Sequence, residues 1–235
     1  MSDLATRIDS LPWPALTDRL DASGFATTGP LLTADECAAL VALYDQPDPF
    51  RSRVVMARHG FGQGEYRYFK YPLPDIIATL RSRLYPQLVP LANRWQLALG
   101  LPTQFPAGHA DYIARCHAAG QTRPTPLLLQ YGPGDYNRLH QDLYGELVFP
   151  LQLTILLSDP AAFSGGEFVL VENKPRSQSR AEVVRLQQGE AVIFAVNQRP
   201  VSGTRGSYRV ALRHGVSTLH SGIRHTLGII FHDAG

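Results

Sequence analysis

The stretch LLLQYGPGDYNRLHQD, residues 127–142, decides the reading of this chain. Its leucines suit a buried strand, and GPGD supplies turn residues that end it. The stretch closes on His140-Gln141-Asp142. If those residues are extended or bulged, His140 and Asp142 project to one face, because strand side chains alternate with period two. Imidazole and carboxylate there could share one hard or borderline metal ion. An HxD triplet also arises by chance on surface strands, so a third ligand must come from elsewhere. Besides His140 the chain holds seven histidines: His59, His109, His117, His214, His220, His225 and His232.

Downstream the texture stays that of strands and turns. FPLQLTILLS, EFVLVEN, AEVVRLQ, EAVIFAV, YRVALRHGVSTL and HTLGIIFH read as short strands separated by Gly, Pro, Asn and Asp. No helix-length segment divides them, so a parallel α/β sheet is excluded and a sandwich or barrel is expected. Upstream the chain looks mixed. Thr33 and Glu36 have capping-box spacing ahead of ADECAALVALY. Ile76, Ile77, Leu80 and Leu84 recur at helical spacing between Asp75 and Leu99, and Pro86 and Pro90 are expected to start, kink or break a helix there, which would give two shorter helices. The stripes themselves read as core packing. Between these helices, residues 50–74 mix arginines, aromatics and glycines. They read either as a solvated hairpin or as a substrate-facing lid over residues 51–70.

Composition sets the class. The 235 residues are 44% hydrophobic and 18% charged, with a net charge of +2 and a pI near 8.6. This is a globular chain whose charge is too weak to argue by itself for nucleic acid. Two cysteines without a CxxC motif exclude a disulfide framework and a thiolate zinc site. The start, MSDLATRIDSLPWPAL, lacks the pattern of a signal peptide, and no run approaches the roughly 18 apolar residues of a membrane span. A cytoplasmic protein is the expectation.

The order of blocks after the HxD triplet resembles the iron(II)- and 2-oxoglutarate-dependent oxygenases, especially their prolyl-4-hydroxylase-like branch. In that branch the first ligands follow a strand ending in Tyr and a Gly-containing turn, as in residues 127–142 here. An apolar strand closing in paired glycines and an acidic residue follows, here LTILLSDPAAFSGGEFVL. Then come a turn glycine and a strand ending in Phe, here QGEAVIF, and last a His with Gly eight and a basic residue ten positions later. His214, Gly222 and Arg224 match that block. GFATTGPLLTADECAALVALY is similar to the first helix of the hydroxylase branch.

The resemblance implies a mostly β, α+β fold, a double-stranded β-helix (jelly-roll, cupin-like) core over residues 124–235 with N-terminal helices from 1–123 packed on it. It implies one domain over 1–235. It implies Fe(II) held by the 2-His-1-carboxylate facial triad His140, Asp142 and His214, leaving open positions for 2-oxoglutarate and O2. Arg224 would grip the far carboxylate of 2-oxoglutarate through two parallel hydrogen bonds. It is expected on a strand neighbouring that of His214, with glycine before it letting the backbone turn. His220 is the rival third ligand, but Arg224 lies only four residues beyond it. Removing the Asp142 carboxylate should spare the fold, since a ligand at a pocket surface carries little core packing.

Tyr131, Pro133, Gly134, His140, Gln141 and Asp142 also match the Tyr-x-Pro-Gly…His-Gln-Asp pattern of the AlkB-type nucleic-acid dealkylases. By that resemblance the Tyr131 hydroxyl would bond the cosubstrate carboxylate beside Arg224. A core tyrosine is the alternative. The chain lacks the second, more distant arginine of those enzymes and carries Arg224 where many prolyl hydroxylases carry Lys. The expected function is therefore hydroxylation of a C–H bond in a peptide or small molecule, with succinate and CO2 as products. Oxidative dealkylation of nucleic acid is the alternative within the class. Outside it stands an inert cupin-like metal- or ligand-binding barrel, which would have no use for Arg224. Substrate and oligomeric state are not legible, because recognition sits in loops and not in the triad.

Overall fold

The structure is a computed structural model describing residues 3–102, 104–174, 176–204 and 206–235. It begins with α1 (Leu4–Asp9), α2 (Trp13–Ser23), β1 (Phe25–Pro30) and α3 (Ala34–Ala42). The hairpin strands β2 (Phe50–Val55), β3 (Gly62–Gln63) and β4 (Glu65–Phe69) precede α4 (Asp75–Ala98) and α5 (His109–Ala118). Then come β5 (Leu127–Tyr131), β6 (Tyr136–His140), β7 (Leu151–Leu156), β8 (Phe163–Gly165), β9 (Phe168–Asn173) and β10 (Arg180–Val184). The chain closes with β11 (Glu190–Ala195), β12 (Gln198–Gly203), β13 (Gly206–Val216), β14 (Leu219–Gly222) and β15 (Arg224–Ile229).

The capping box predicted for α3 is formed. The Thr33 hydroxyl accepts from the Glu36 N–H at 3.2 Å, and the Glu36 carboxylate accepts from the Thr33 N–H at 2.8 Å. Thr33→Ala strips one partner from that pair and should cost about 1 kcal/mol. In a chain of this size that lowers the melting temperature by about 2–4 °C. An unchanged thermal transition would show that α3 is held by packing alone.

One expectation fails at α4. Pro86 and Pro90 lie inside a single helix of 24 residues and do not divide it. Each proline withholds an N–H from the carbonyl four residues earlier. Ser82, Pro86 and Pro90 are all exposed, so the prolines lie on the solvent side of the helix, where water can satisfy freed carbonyls. The opposite face buries Ile77, Leu80, Leu84, Leu88, Leu91 and Trp95. At about 1.5–3 kcal/mol per buried apolar side chain, that face outweighs two solvent-side prolines at about 3 kcal/mol each.

Two antiparallel sheets form the body. The larger runs β1-β11-β7-β15-β5-β4-β2, and the smaller runs β10-β9-β13-β6-β3, with β12 paired to β13. This is the jelly-roll core expected for residues 124–235, but the division at residue 123 is less clean than expected. Strands β1, β2 and β4 from the N-terminal part complete both edges of the larger sheet. Residues 50–69 thus form a hairpin built into the sheet edge. Arg51 lies over the Tyr68 ring at 4.4 Å and bonds the Pro124 carbonyl, tying the hairpin to the chain before β5.

His109 and His117 sit on α5. Their rings bond the Phe231 carbonyl at 2.8 Å and Asp233 at 2.9 Å. Asp233 is fully buried and also binds Arg81 of α4 at 2.9 Å, so the helices clasp the end of the described chain. Cys37 and Cys116 are both buried and unpaired. Among the described residues no helix is long and apolar enough to cross a membrane.

Candidate metal centre and cosubstrate pocket

A cavity of about 380 Å³ opens between the two sheets. Alternation along β15 turns Arg224, Thr226 and Gly228 into it, and alternation along β5 turns in Tyr131, Leu129 and Leu127. From the smaller sheet come His140 of β6, His214 of β13 and Phe168 of β9.

His140 and His214 are register partners across β6 and β13, with ring centroids 4.1 Å apart. The strand ends at His140, and Asp142 lies just beyond it. His140 Nε2 is 3.5 Å from Asp142 Oδ1, and His214 Nε2 is 3.3 Å from Asp142 Oδ2. One donor atom from each residue falls within 4.8 Å of the others. His140 donates its Nδ1 proton to the Arg138 carbonyl at 2.7 Å, the tautomer that leaves Nε2 free for a cation. The His214 ring packs between Phe194 at 4.7 Å and Phe168 at 5.8 Å, which fixes its plane without a bond to Nδ1. Burial lowers the His214 pKa, as does His140, so the ring favours its neutral, metal-binding form.

Asp142 is only 9% exposed. Burial alone would raise its carboxyl, but the His214 hydrogen bond and the nearby histidines hold it well below the usual carboxylate range. Tyr144 donates its hydroxyl to Oδ1 at 2.6 Å, and Gln152 donates its amide to Oδ2 at 2.7 Å. Sequence reading missed both. Gln152 was the more visible, as the one amide inside the largely apolar run of β7, whose other polar side chain is Thr154. Asp142 therefore sits deeper in a hydrogen-bonded setting than a pocket-surface ligand would, and its removal would leave two buried donors without a partner.

The opposite end of the cavity holds Arg224, 3% exposed, with Nη1 buried and unpartnered. Burial draws its pKa down to about 10, against smaller raising effects of Tyr131 and Glu167. Tyr131 is its register partner on β5, with the guanidinium carbon 5.7 Å from the phenol ring centroid. Burial pushes the Tyr131 hydroxyl up to about 12, which keeps it protonated and able to donate. Arg224 was expected on a strand neighbouring that of His214. The two lie instead on different sheets, β15 and β13, and face each other across the cavity. The short β14 carries the chain from one sheet to the other. Gly222 makes that turn at φ +80°, where a Cβ would stand 2.0 Å from the Ala162 carbonyl oxygen.

The remaining histidines lie outside the cluster. His220 is exposed. His59 stacks on Phe61, His225 packs against Tyr44, and His232 is buried with Nδ1 accepting the Phe149 N–H. The hairpin proposed as a lid does reach the cavity, through Gly60, Phe61 and Tyr66.

Residues 64–234 match the model of a family described as oxygenases catalysing oxidative methylation of damaged DNA. The chain belongs to this oxygenase family. An uncharacterized protein of Mycobacterium tuberculosis is 52% identical over 167 residues, covering 71% of this chain and 72% of its own length. Similar solved structures include a prolyl-4-hydroxylase of Pseudomonas putida, with TM-score 0.56, 15% identity and coverage of 92% of this chain and 96% of that one. Another is a 2OG-Fe(II) oxygenase family oxidoreductase of Burkholderia pseudomallei, with TM-score 0.55, 16% identity and coverage of 96% and 94%. At those identities the likeness carries the fold. That fold is one used by a 2OG-Fe(II) oxygenase, as the Burkholderia pseudomallei structure shows. As a member of an oxygenase family the chain is an oxidoreductase, and His140, Asp142 and His214 form a donor set that could hold a metal ion. The inert-barrel reading is set aside. The residues suit that chemistry, with two imidazoles and one carboxylate at one end and an unmatched buried guanidinium at the other.

Proposed function

We propose that this chain hydroxylates a C–H bond of an organic substrate that enters the cavity between the sheets. The observation that carries the reading is the pairing of a His140–Asp142–His214 donor set with buried Arg224, whose Nη1 has no hydrogen-bond partner, in one cavity. His140, Asp142 and His214 would hold iron(II). Arg224 and the Tyr131 hydroxyl would hold the far carboxylate of 2-oxoglutarate. Tyr144 and Gln152 fix the Asp142 carboxylate, Phe168 and Phe194 fix the His214 ring, and Leu127, Leu129 and Ile230 keep the interior poor in water. With iron bound, 2-oxoglutarate and O2 supply the oxidising chemistry, and succinate and CO2 leave.

A second reading is oxidative removal of a methyl group from a damaged base, favoured by the family description and by the Tyr131-to-Asp142 motif. It needs the same machinery, because hydroxylation of an N-methyl carbon releases formaldehyde. Succinate and formaldehyde formation tests both. The iron-loaded protein is offered peptides, small molecules and N-methylated oligonucleotides. His214→Ala should remove succinate formation with every substrate, and His220→Ala should leave most of it. The reverse pattern would move the third ligand to His220.

A further inference from the structure

The mouth of the cavity carries a cation that the proposed reaction leaves without a partner. Arg138 stands on β6, is exposed and lines the cavity. It enters no ion pair among the described residues. Its backbone is fixed on both sides. The N–H donates to the Phe61 carbonyl at 2.8 Å, and the carbonyl accepts from His140 Nδ1 at 2.7 Å. Arg138 thus joins the rim of the cavity to a residue of the metal centre.

The charges inside the cavity balance without it. Under the function proposed above, divalent iron and Arg224 together offset Asp142 and the two carboxylates of 2-oxoglutarate. Imidazoles that ligate a metal do so as neutral rings and add no charge. Among the charged residues lining the cavity, Arg138 alone then has no counterpart. Around it the rim is apolar. Phe61, Leu139 and Leu143 are 45–48% exposed, and all three line this cavity. The His59 ring stacks on Phe61 at 5.3 Å. Exposed apolar side chains gathered at one mouth mark a surface that is covered in use. A guanidinium among them selects for an anion through charge-assisted hydrogen bonds.

We infer that Arg138 is a specificity-determining residue. It takes an anionic group, a phosphate or a carboxylate, that the primary substrate carries next to the bond presented to the metal centre. Phe61, Leu139 and Leu143 cover the apolar part of the same molecule. The inference rests on the proposed function, because the charge balance assumes iron and 2-oxoglutarate in the cavity.

The test uses the full chain loaded with iron(II) and 2-oxoglutarate, without oxygen. Two fluorescent probes supply the two anion sources, a short oligothymidylate for phosphate and a short oligoglutamate for carboxylate. Anisotropy is read over a range of salt. Wild type should bind one of them, and which one names the source. Arg138→Gln should weaken that binding by roughly 10- to 100-fold, the worth of a hydrogen bond to a charged group. For the phosphate probe it should also lower the salt slope by about one. Arg209→Gln, which alters an exposed arginine away from the cavity, should change neither. The inference is overturned if neither probe binds, if Arg138→Gln has no effect, or if both variants weaken binding equally. The 2-oxoglutarate affinity of Arg138→Gln must match wild type; a loss would move Arg138 into the cosubstrate pocket and end the inference. Wild type that fails to bind 2-oxoglutarate would overturn the proposed function itself.

Discussion

Asp142→Ala is expected to abolish tight iron(II) binding and, with it, succinate formation. The donor set holds a single anion, and the Asp142 carboxylate faces both His140 and His214 within 3.5 Å. Without it, two neutral imidazoles must hold a divalent cation in a setting where unscreened charge is costly. The variant also leaves the Tyr144 hydroxyl and the Gln152 amide buried without their acceptor. Each such orphan costs about 1–3 kcal/mol, so a drop in melting temperature should accompany the loss of metal. Asp142→Asn separates the two effects. It retains an oxygen for the Tyr144 proton, opposes an amide to the Gln152 amide, and removes the anion. Anaerobic iron titration of both variants decides the matter. If either keeps wild-type iron affinity and turnover, the metal is held elsewhere.

What the sequence made legible follows from the range of each signal. The Thr33–Glu36 cap is a local pattern within one helical turn, and it formed as read. Most strands after residue 124 were visible because each carries its own alternation or apolar run, whereas the short β8, β12 and β14 were not read as strands. Pairing order is not local, so nothing in residues 25–30 or 65–69 showed that they would edge the larger sheet. The prolines of α4 misled because intrinsic preference was weighed without the buried face that overrides it. Within the candidate site, the spaced donors that the structure brings together were legible and the residues supporting them were not. Tyr144 and Gln152 meet Asp142 only after β7 packs beside the loop that follows β6. The same limit hid the sheet change between His214 and Arg224. A ten-residue interval fixes the length of chain between two side chains, while the turn at Gly222 decides which sheet the second one joins.

Arg224→Ala should weaken 2-oxoglutarate binding steeply while iron still binds. The guanidinium is 3% exposed, its Nη1 has no partner, and burial has already pulled its pKa down to about 10. A cation in that position is stabilised when a carboxylate enters, through a charge-assisted and directional contact. Truncating one partner of a buried hydrogen-bonded charge pair costs about 2–5 kcal/mol. That is roughly 30- to 5000-fold in affinity at about 1.4 kcal/mol per factor of ten. Arg224→Lys should fall between, keeping the charge but losing the planar fork. Tyr131→Phe should have a smaller effect, because it removes one neutral donor and leaves the ring beside the guanidinium. The measurement is 2-oxoglutarate binding to iron-loaded protein without oxygen, with iron affinity read on the same samples. Were Arg224 a structural residue, Ala would lower the melting temperature and leave cosubstrate affinity alone. Unchanged affinity in Arg224→Ala would remove the cosubstrate from this end of the cavity, and with it the charge balance that leaves Arg138 free for the substrate.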